Sequence, residues 1–264
     1  MKTEPTWPLQ RMDPCPVEGA SRIPHKVLPQ KLPAKSPGVR NLTLTAVAAC
    51  IGLAACPLQA GLFTQRFDDL NLLVPDGSPM GVSDTRAVPS GLGTIVEVAV
   101  SLEVIGGYTG DLYALLIHDG VSAVLLNRPG RRTGDEYGYA DVGLDVTFQD
   151  TAPADVNDYR MSIHGSHEVP LSGALTGLWQ PDARAVDPGD VLNTSTRSAF
   201  LSAFVGNPAE GNWTLYTADL SPVGEAVVQS WSLTITTVPE PSSVVIVTGL
   251  GVLAWAVVRG TRKG

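Results

Sequence analysis

Along residues 94–105, TIVEVAVSLEVI, Val96, Val98, Val100, Leu102 and Val104 fall on one side of an extended chain, and Glu97, Ala99, Ser101 and Glu103 on the other. That period of two predicts a half-buried strand. Residues 111–118, DLYALLIH, and 121–126, VSAVLL, are short apolar runs parted by Asp119-Gly120, which predicts a tight hairpin. Further strands are predicted at 142–148, 213–218 and 227–236; in the last, Gln229, Trp231, Leu233 and Ile235 share a face. Residues 149–199 are rich in Asp, Pro, Gly and Ser and predict a long irregular stretch, and only 197–204, RSAFLSAF, suits a helical turn or two. Gly110 and Gly120 suit turn positions with positive φ. Trp213 and Trp231 read as core aromatics, whereas Trp179, on the long loop, reads as an exposed aromatic and a candidate binding residue. Short strands joined by turns predict an all-β domain over residues 61–237, a β-sandwich of jelly-roll type.

The two ends carry a different pattern. Residues 42–55, LTLTAVAACIGLAA, form an unbroken apolar run preceded by Lys26, Lys31, Lys35 and Arg40. Basic then apolar is the order of a secretory signal, and the run is short for a membrane span. Residues 1–60 are therefore predicted to be a basic leader and signal peptide cut after Ala60; alternatively, Leu53-Ala54-Ala55-Cys56 fits a lipobox, with lipid on Cys56. At the other end, Val244–Val258 carries no charge. As a helix it rises roughly 22 Å, short of the ~30 Å hydrocarbon core. Arg259, Arg262 and Lys263 follow and should stay on the cytoplasmic side, with residues 61–237 outside the inner membrane.

Val238, Pro239, Glu240 and Pro241, then Ser242, an apolar helix and a basic tip, together resemble the PEP-CTERM sorting signal of Gram-negative bacteria. The resemblance assigns 238–264 to that signal. It implies a transient hold in the inner membrane, processing by an exosortase as well as by signal peptidase, and release to the cell surface or extracellular matrix. It also implies association with exopolysaccharide and biofilm. A plain C-terminal anchor is the alternative.

Charge sharpens the division. Residues 1–60 hold seven Lys/Arg and three Asp/Glu, whereas residues 61–238 hold eight Arg, no Lys and twenty-two Asp/Glu, a formal balance of −14. So acidic a middle repels phosphate backbones, which excludes nucleic acid as a partner. Cys15, Cys50 and Cys56 all precede residue 60, so cleavage after Ala60 leaves no thiol for a disulfide, a Cys nucleophile or a Cys-metal site.

A second set of motifs spans roughly residues 70–236: Val74-Pro75-Asp76-Gly77, Gly81-Val82-Ser83, Tyr108-Thr109-Gly110-Asp111-Leu112, the hairpin around Asp119-Gly120, Gly211-Asn212-Trp213-Thr214-Leu215-Tyr216-Thr217-Ala218-Asp219 and Ser230-Trp231-Ser232-Leu233. Together they resemble the P domain (P/Homo B) that follows the catalytic domain of proprotein convertases and many bacterial subtilisin-like proteases. The family's usual His before the Gly-Asp-Leu strand is replaced by Gly106 or Gly107, and its W-G-E segment by Gly206-Asn207-Pro208-Ala209-Glu210. The resemblance implies the sandwich and an accessory role beside a neighbouring protein.

No G-x-S-x-G elbow is present, and no catalytic residue is assigned. His164, His167 and Glu168 match no zincin spacing, and His118-Asp119 reads as turn chemistry. Asp76, Asp111 and Asp219 fall at predicted strand ends within the matched motifs, and Asp141 and Asp145 flank another turn. Hard oxygen ligands of this kind suit calcium, and some P domains bind it, so calcium at Asp76, Asp111 and Asp219 is the candidate cofactor, the alternative being a set of turn and solubilising carboxylates with no cofactor. The expected protein is an exported, non-enzymatic surface or matrix component, structural or polysaccharide-binding. The alternative is an envelope hydrolase or an accessory domain of a secreted protease system.

Overall fold

A computed structural model describes residues 60–238. The predicted signal segment, Cys56, Pro239, Glu240, Pro241 and the predicted helix over 244–258 lie outside the described residues. Among the described residues no helix is long and apolar enough to cross a membrane.

Two sheets make a β-sandwich. The strands are β1 (Gly61–Phe67), β2 (Leu72–Val74), β3 (Ser78–Val88), β4 (Thr94–Tyr108), β5 (Leu112–His118), β6 (Val121–Asn127), β7 (Val142–Phe148), β8 (Leu175–Trp179), β9 (Gly211–Asp219) and β10 (Ala226–Val238), with one short helix, α1 (Tyr159–His164). One sheet runs β1-β10-β4-β7-β8, with β2 continuing beside β10; the other runs β3-β9-β5-β6. Pairing is antiparallel except between β7 and β8.

The alternation in β4 holds from Val98 to Leu102 and Val104, all buried, but not at Val96, which is exposed while Ile95 is buried. Thr236 pairs with Glu97 and Thr237 with Ile95. This bulge reverses the facing of the residues before it. A second bulge lets Val228 pair with Val104 and Ser230 with Glu103, skipping Gln229. Gln229 therefore does not share the buried face of Trp231, Leu233 and Ile235, which corrects the sequence pattern.

The hairpin at Asp119-Gly120 forms as predicted, with φ of 47° and 76°, the two left-handed residues of a type I′ turn. Gly110 has no positive φ. It lies in a 3₁₀ turn at Thr109–Asp111, and a Cβ there would meet the Tyr137 carbonyl oxygen at 2.3 Å. Space, not backbone handedness, requires glycine. Residues 149–199 are more ordered than their composition suggests. Their chain forms α1 and β8, then runs along β6, where Asp182 and Ala183 donate to the carbonyls of Leu125 and Val124, and Val124 donates to Ala199. That cover protects the edge of β6 and explains why Ala123–Asn127 is buried on both faces.

Trp213 and Trp231 are fully buried. Trp213 packs on Phe204, centroids 5.0 Å apart, and donates from Nε1 to the Ala209 carbonyl at 3.0 Å. Trp231 packs on Phe67 at 4.7 Å and donates across the sandwich to Asp84 Oδ2 on β3 at 2.7 Å. Hydroxyl pairs join strands on the more solvated sides of the sheets: Thr64 with Thr234 at 3.2 Å, Thr85 with Thr214 at 2.8 Å and Ser101 with Thr147 at 2.9 Å.

Register fixes two poles. The β2–β3, β4–β5 and β9–β10 connections meet at one. Gly61, the start of β1, pairs with Thr237 near the end of β10 at the other. Between them β10 extends over its 13 residues, roughly 40 Å of strand.

Candidate functional site: a tyrosine-lined cleft beside three carboxylates

The three connections at the first pole each supply one of the predicted acids. Asp76 lies in the turn before β3, and its Oδ2 accepts from the Val223 N–H at 3.2 Å. Asp111 closes the turn before β5, and its carbonyl accepts from Leu220 N–H. Asp219 ends β9, opposite Leu112 on β5 and Ser78 on β3, and its Oδ1 accepts from Ser221 N–H at 3.3 Å. Asp111 is 4% exposed and Asp219 0%. The structure thus brings Asp219 to two acids that are more than 100 positions away in sequence.

Sequence reasoning missed the cation among them. Arg128, just past β6, donates from Nε to the Gly110 carbonyl at 3.2 Å and from Nη2 to Ser221 Oγ at 2.9 Å. Its Nη2 is 3.8 Å from Asp111 Oδ1. Burial pushes Asp111 up from the ordinary carboxylate range; Ser221 and Arg128 pull it back, and Asp76 adds to the rise. Burial pushes Asp219 up to about 6, helped by Asp111 and Asp76 and opposed by the Ser221 N–H and Arg128. Arg128 itself is lowered, by burial and then by Arg131. One guanidinium thus faces two buried carboxylates, Asp111 and Asp219, at low dielectric, with the exposed Asp76 at the rim. Asp219 Oδ2 makes no hydrogen bond within the protein.

Beside this cluster opens a cleft of about 330 Å³, walled by Tyr108, Asp111, Tyr137, Tyr139, Ser221 and Pro222. Tyr108 ends β4, and Tyr137 and Tyr139 come from the β6–β7 connection. Tyr137 is 70% exposed. Tyr139 is buried and held on every side: Tyr159 packs edge-on at 4.7 Å, Arg160 lies over the ring at 4.5 Å, and its hydroxyl bonds His167 Nδ1.

Behind the cleft, Asp141 organises the backing. Arg160 forks it from Nε and Nη2 at 2.7 and 2.9 Å, Tyr159 Oη donates at 2.6 Å, and Leu171 N–H donates at 2.8 Å. Burial works to raise Asp141, but these bonds hold it below the usual carboxylate range. Thr109 N–H donates to the Asp141 carbonyl, which ties this backing to the turn that carries Asp111.

Other expected sites do not assemble. Trp179 is buried, 7% exposed, with Nε1 donating to the Thr176 carbonyl and its ring edge-on to Tyr159. It is a core residue because its segment forms β8, and it is no exposed binding aromatic. His118 is not a turn residue: it stacks on Trp213 at 4.0 Å, with Nδ1 against the Asn212 carbonyl and Nε2 against that of Pro208. His167 is engaged by Tyr139, and Glu168 by Arg132. Among the described residues no group of three or more His, Cys, Asp or Glu side chains is arranged to hold a metal ion. For Asp111 and Asp219, Arg128 already lies beside the pair. Asp141, read from sequence as a turn carboxylate, is bound to Arg160.

No family model and no curated protein matches the chain. Among solved structures, it is similar to the serine protease of Aeromonas sobria, at 13% identity and a TM-score of 0.37, over 68% of this chain and 27% of that one. It is likewise similar to the same organism's serine protease in complex with the chaperone ORF2, at 12% identity and a TM-score of 0.38, over 69% and 28%. The chain thus spans little more than a quarter of the length of either protein. Both are serine proteases, and the sequence expectation that this chain is not an enzyme is corrected by that finding and carried no further.

Proposed function

We propose that the chain is an exported accessory module of a secreted protease system, its β-sandwich being of P-domain, jelly-roll-like type. The observation that carries this reading is where the motif residues lie. Gly211–Asp219 forms β9 and Ser230–Leu233 lies within β10, strands internal to the two sheets, and their tryptophans fill the core. The stretches behind the P-domain resemblance are thus those that hold the sheets together. The ends of the sandwich also fit: β1 starts and β10 ends at one pole, so signal peptidase acting at Ala60 and an exosortase acting at Pro239-Glu240-Pro241 would cut side by side, at the pole opposite the cleft. An association with extracellular polysaccharide rests on the tail alone and has no counterpart in the fold.

The test is a deletion strain. Casein-degrading activity of the culture medium, and its half-life on warming, should fall at least about twofold without the gene and recover when the purified processed chain is added. Medium that is indistinguishable with and without the chain would overturn the reading.

A further inference from the structure

We propose that the tyrosine-lined cleft receives the ammonium or guanidinium of a lysine or arginine side chain presented by a partner polypeptide. The inference rests on the accessory-module reading for the partner's nature and adds the chemistry of contact.

The cluster is short of positive charge. The buried Asp111 and Asp219 face Arg128 alone, with the exposed Asp76 adding negative charge beside them, and Arg128 directs its N–H groups to Gly110 and Ser221, leaving Asp111 at 3.8 Å, beyond a hydrogen bond. A buried carboxylate is stable when fully paired and hydrogen-bonded. Independently of that charge count, Asp219 is 0% exposed and its Oδ2 has no hydrogen-bond partner in the protein. Asp219 lies behind the cleft wall, and two of the groups that act on it, Asp111 and Ser221, line the cleft.

The walls select the kind of cation. Tyr108 and Tyr137 supply aromatic surface next to the carboxylate, an arrangement that favours organic cations through the ring quadrupole. A calcium ion wants six to eight oxygen ligands, and among the described residues no three His, Cys, Asp or Glu side chains are arranged to hold a metal. The volume, about 330 Å³, lies at the small end of the range for ligand sites. The rest of the surface agrees. Residues 61–238 contain no lysine, and seven of their eight arginines, all but Arg131, pair with carboxylates of the same chain. The remaining carboxylates give a field that steers basic partners toward the molecule. The cleft lies at the pole opposite the Gly61–Thr237 pair.

The processed full chain is titrated calorimetrically at low salt with blocked Gly-Arg-Gly, Gly-Lys-Gly and Gly-Gln-Gly peptides. The two basic peptides should bind and the glutamine peptide should not. Asp111→Asn should weaken binding about tenfold, and Tyr137→Ala, at an exposed side chain, about two- to fivefold. Should Asp111→Asn fail to fold, Tyr137→Ala still decides. Equal binding of the glutamine peptide, unchanged affinity in both variants, or binding of calcium chloride or cellohexaose in place of the basic peptides would each overturn the proposal. If the secreted protease responds to the chain while the peptides do not bind, the cleft assignment falls and the accessory reading stands. If the peptides bind and the protease is indifferent, the accessory reading falls and cation recognition stands.

Discussion

Gly61 and Thr237 pair across β1 and β10, so β1 covers the outer edge of β10 up to Phe67 opposite Trp231. β1 is therefore part of the sandwich and not a remnant of the segment before it. Phe67→Ala uncovers Trp231 and should cost about 3 kcal/mol, read as a lowered urea midpoint. Deleting residues 61–67 should cost more.

Asp219 sets a pH dependence. Its carboxyl is pushed up to about 6 in the folded chain, against ~3.9 when unfolded, so the folded state binds this proton more tightly. Its contribution is fully present below the unfolded value and is lost as pH rises through 6, a loss on the order of 3 kcal/mol. Asp219→Asn removes the ionisation. Thermal melting between pH 4 and 7 should show the variant with a flatter profile than the wild type.

Asp141 acts with the opposite sign. Held below its ordinary value, chiefly by Arg160 and Tyr159 against the effect of burial, it stabilises above the unfolded pKa, and that contribution is lost as pH falls through the folded one. Asp141→Ala strands the buried Arg160 and should cost about 3–5 kcal/mol. Limited proteolysis should then open the 128–172 region first.

Gly110→Ala and Gly120→Ala separate crowding from strain. At Gly110 the new Cβ would lie 2.3 Å from the Tyr137 carbonyl and 2.6 Å from Tyr139 N, so backbone must move and the cleft wall shifts. At Gly120 nothing lies within 4 Å, and the cost is the left-handed turn alone, about 1 kcal/mol. Denaturant midpoints should rank Gly110→Ala as the worse by a wide margin.

The interior strands are legible in the sequence because their periodicity or apolar content reflects burial: β4, β5, β6, β7, β9 and β10 all coincide with predicted runs. β1 and β3 are not. GLFTQRF and SPMGVSDTRAV lie on sheet edges, expose much of their length and so lack an apolar face. β8 joins β7 in parallel through a long connection, a pairing that local pattern does not encode, and for that reason Trp179 reads as exposed. Of the site, Asp76, Asp111 and Asp219 are visible as strand-end acids. Arg128 and Tyr137 are not, because tertiary folding of the irregular 128–141 stretch brings them in, and Tyr108, at the end of β4, becomes a cleft wall only beside them.

The cross-strand hydroxyl pairs Thr64–Thr234, Thr85–Thr214 and Ser101–Thr147 bear on how the sandwich answers to salt. Attraction between surface charges fades as salt screens it, but a bond between two uncharged alcohols has no such dependence. These stitches should therefore keep their strength from fresh water to brine, although the carboxylate-rich exterior around them changes its reach with every dilution.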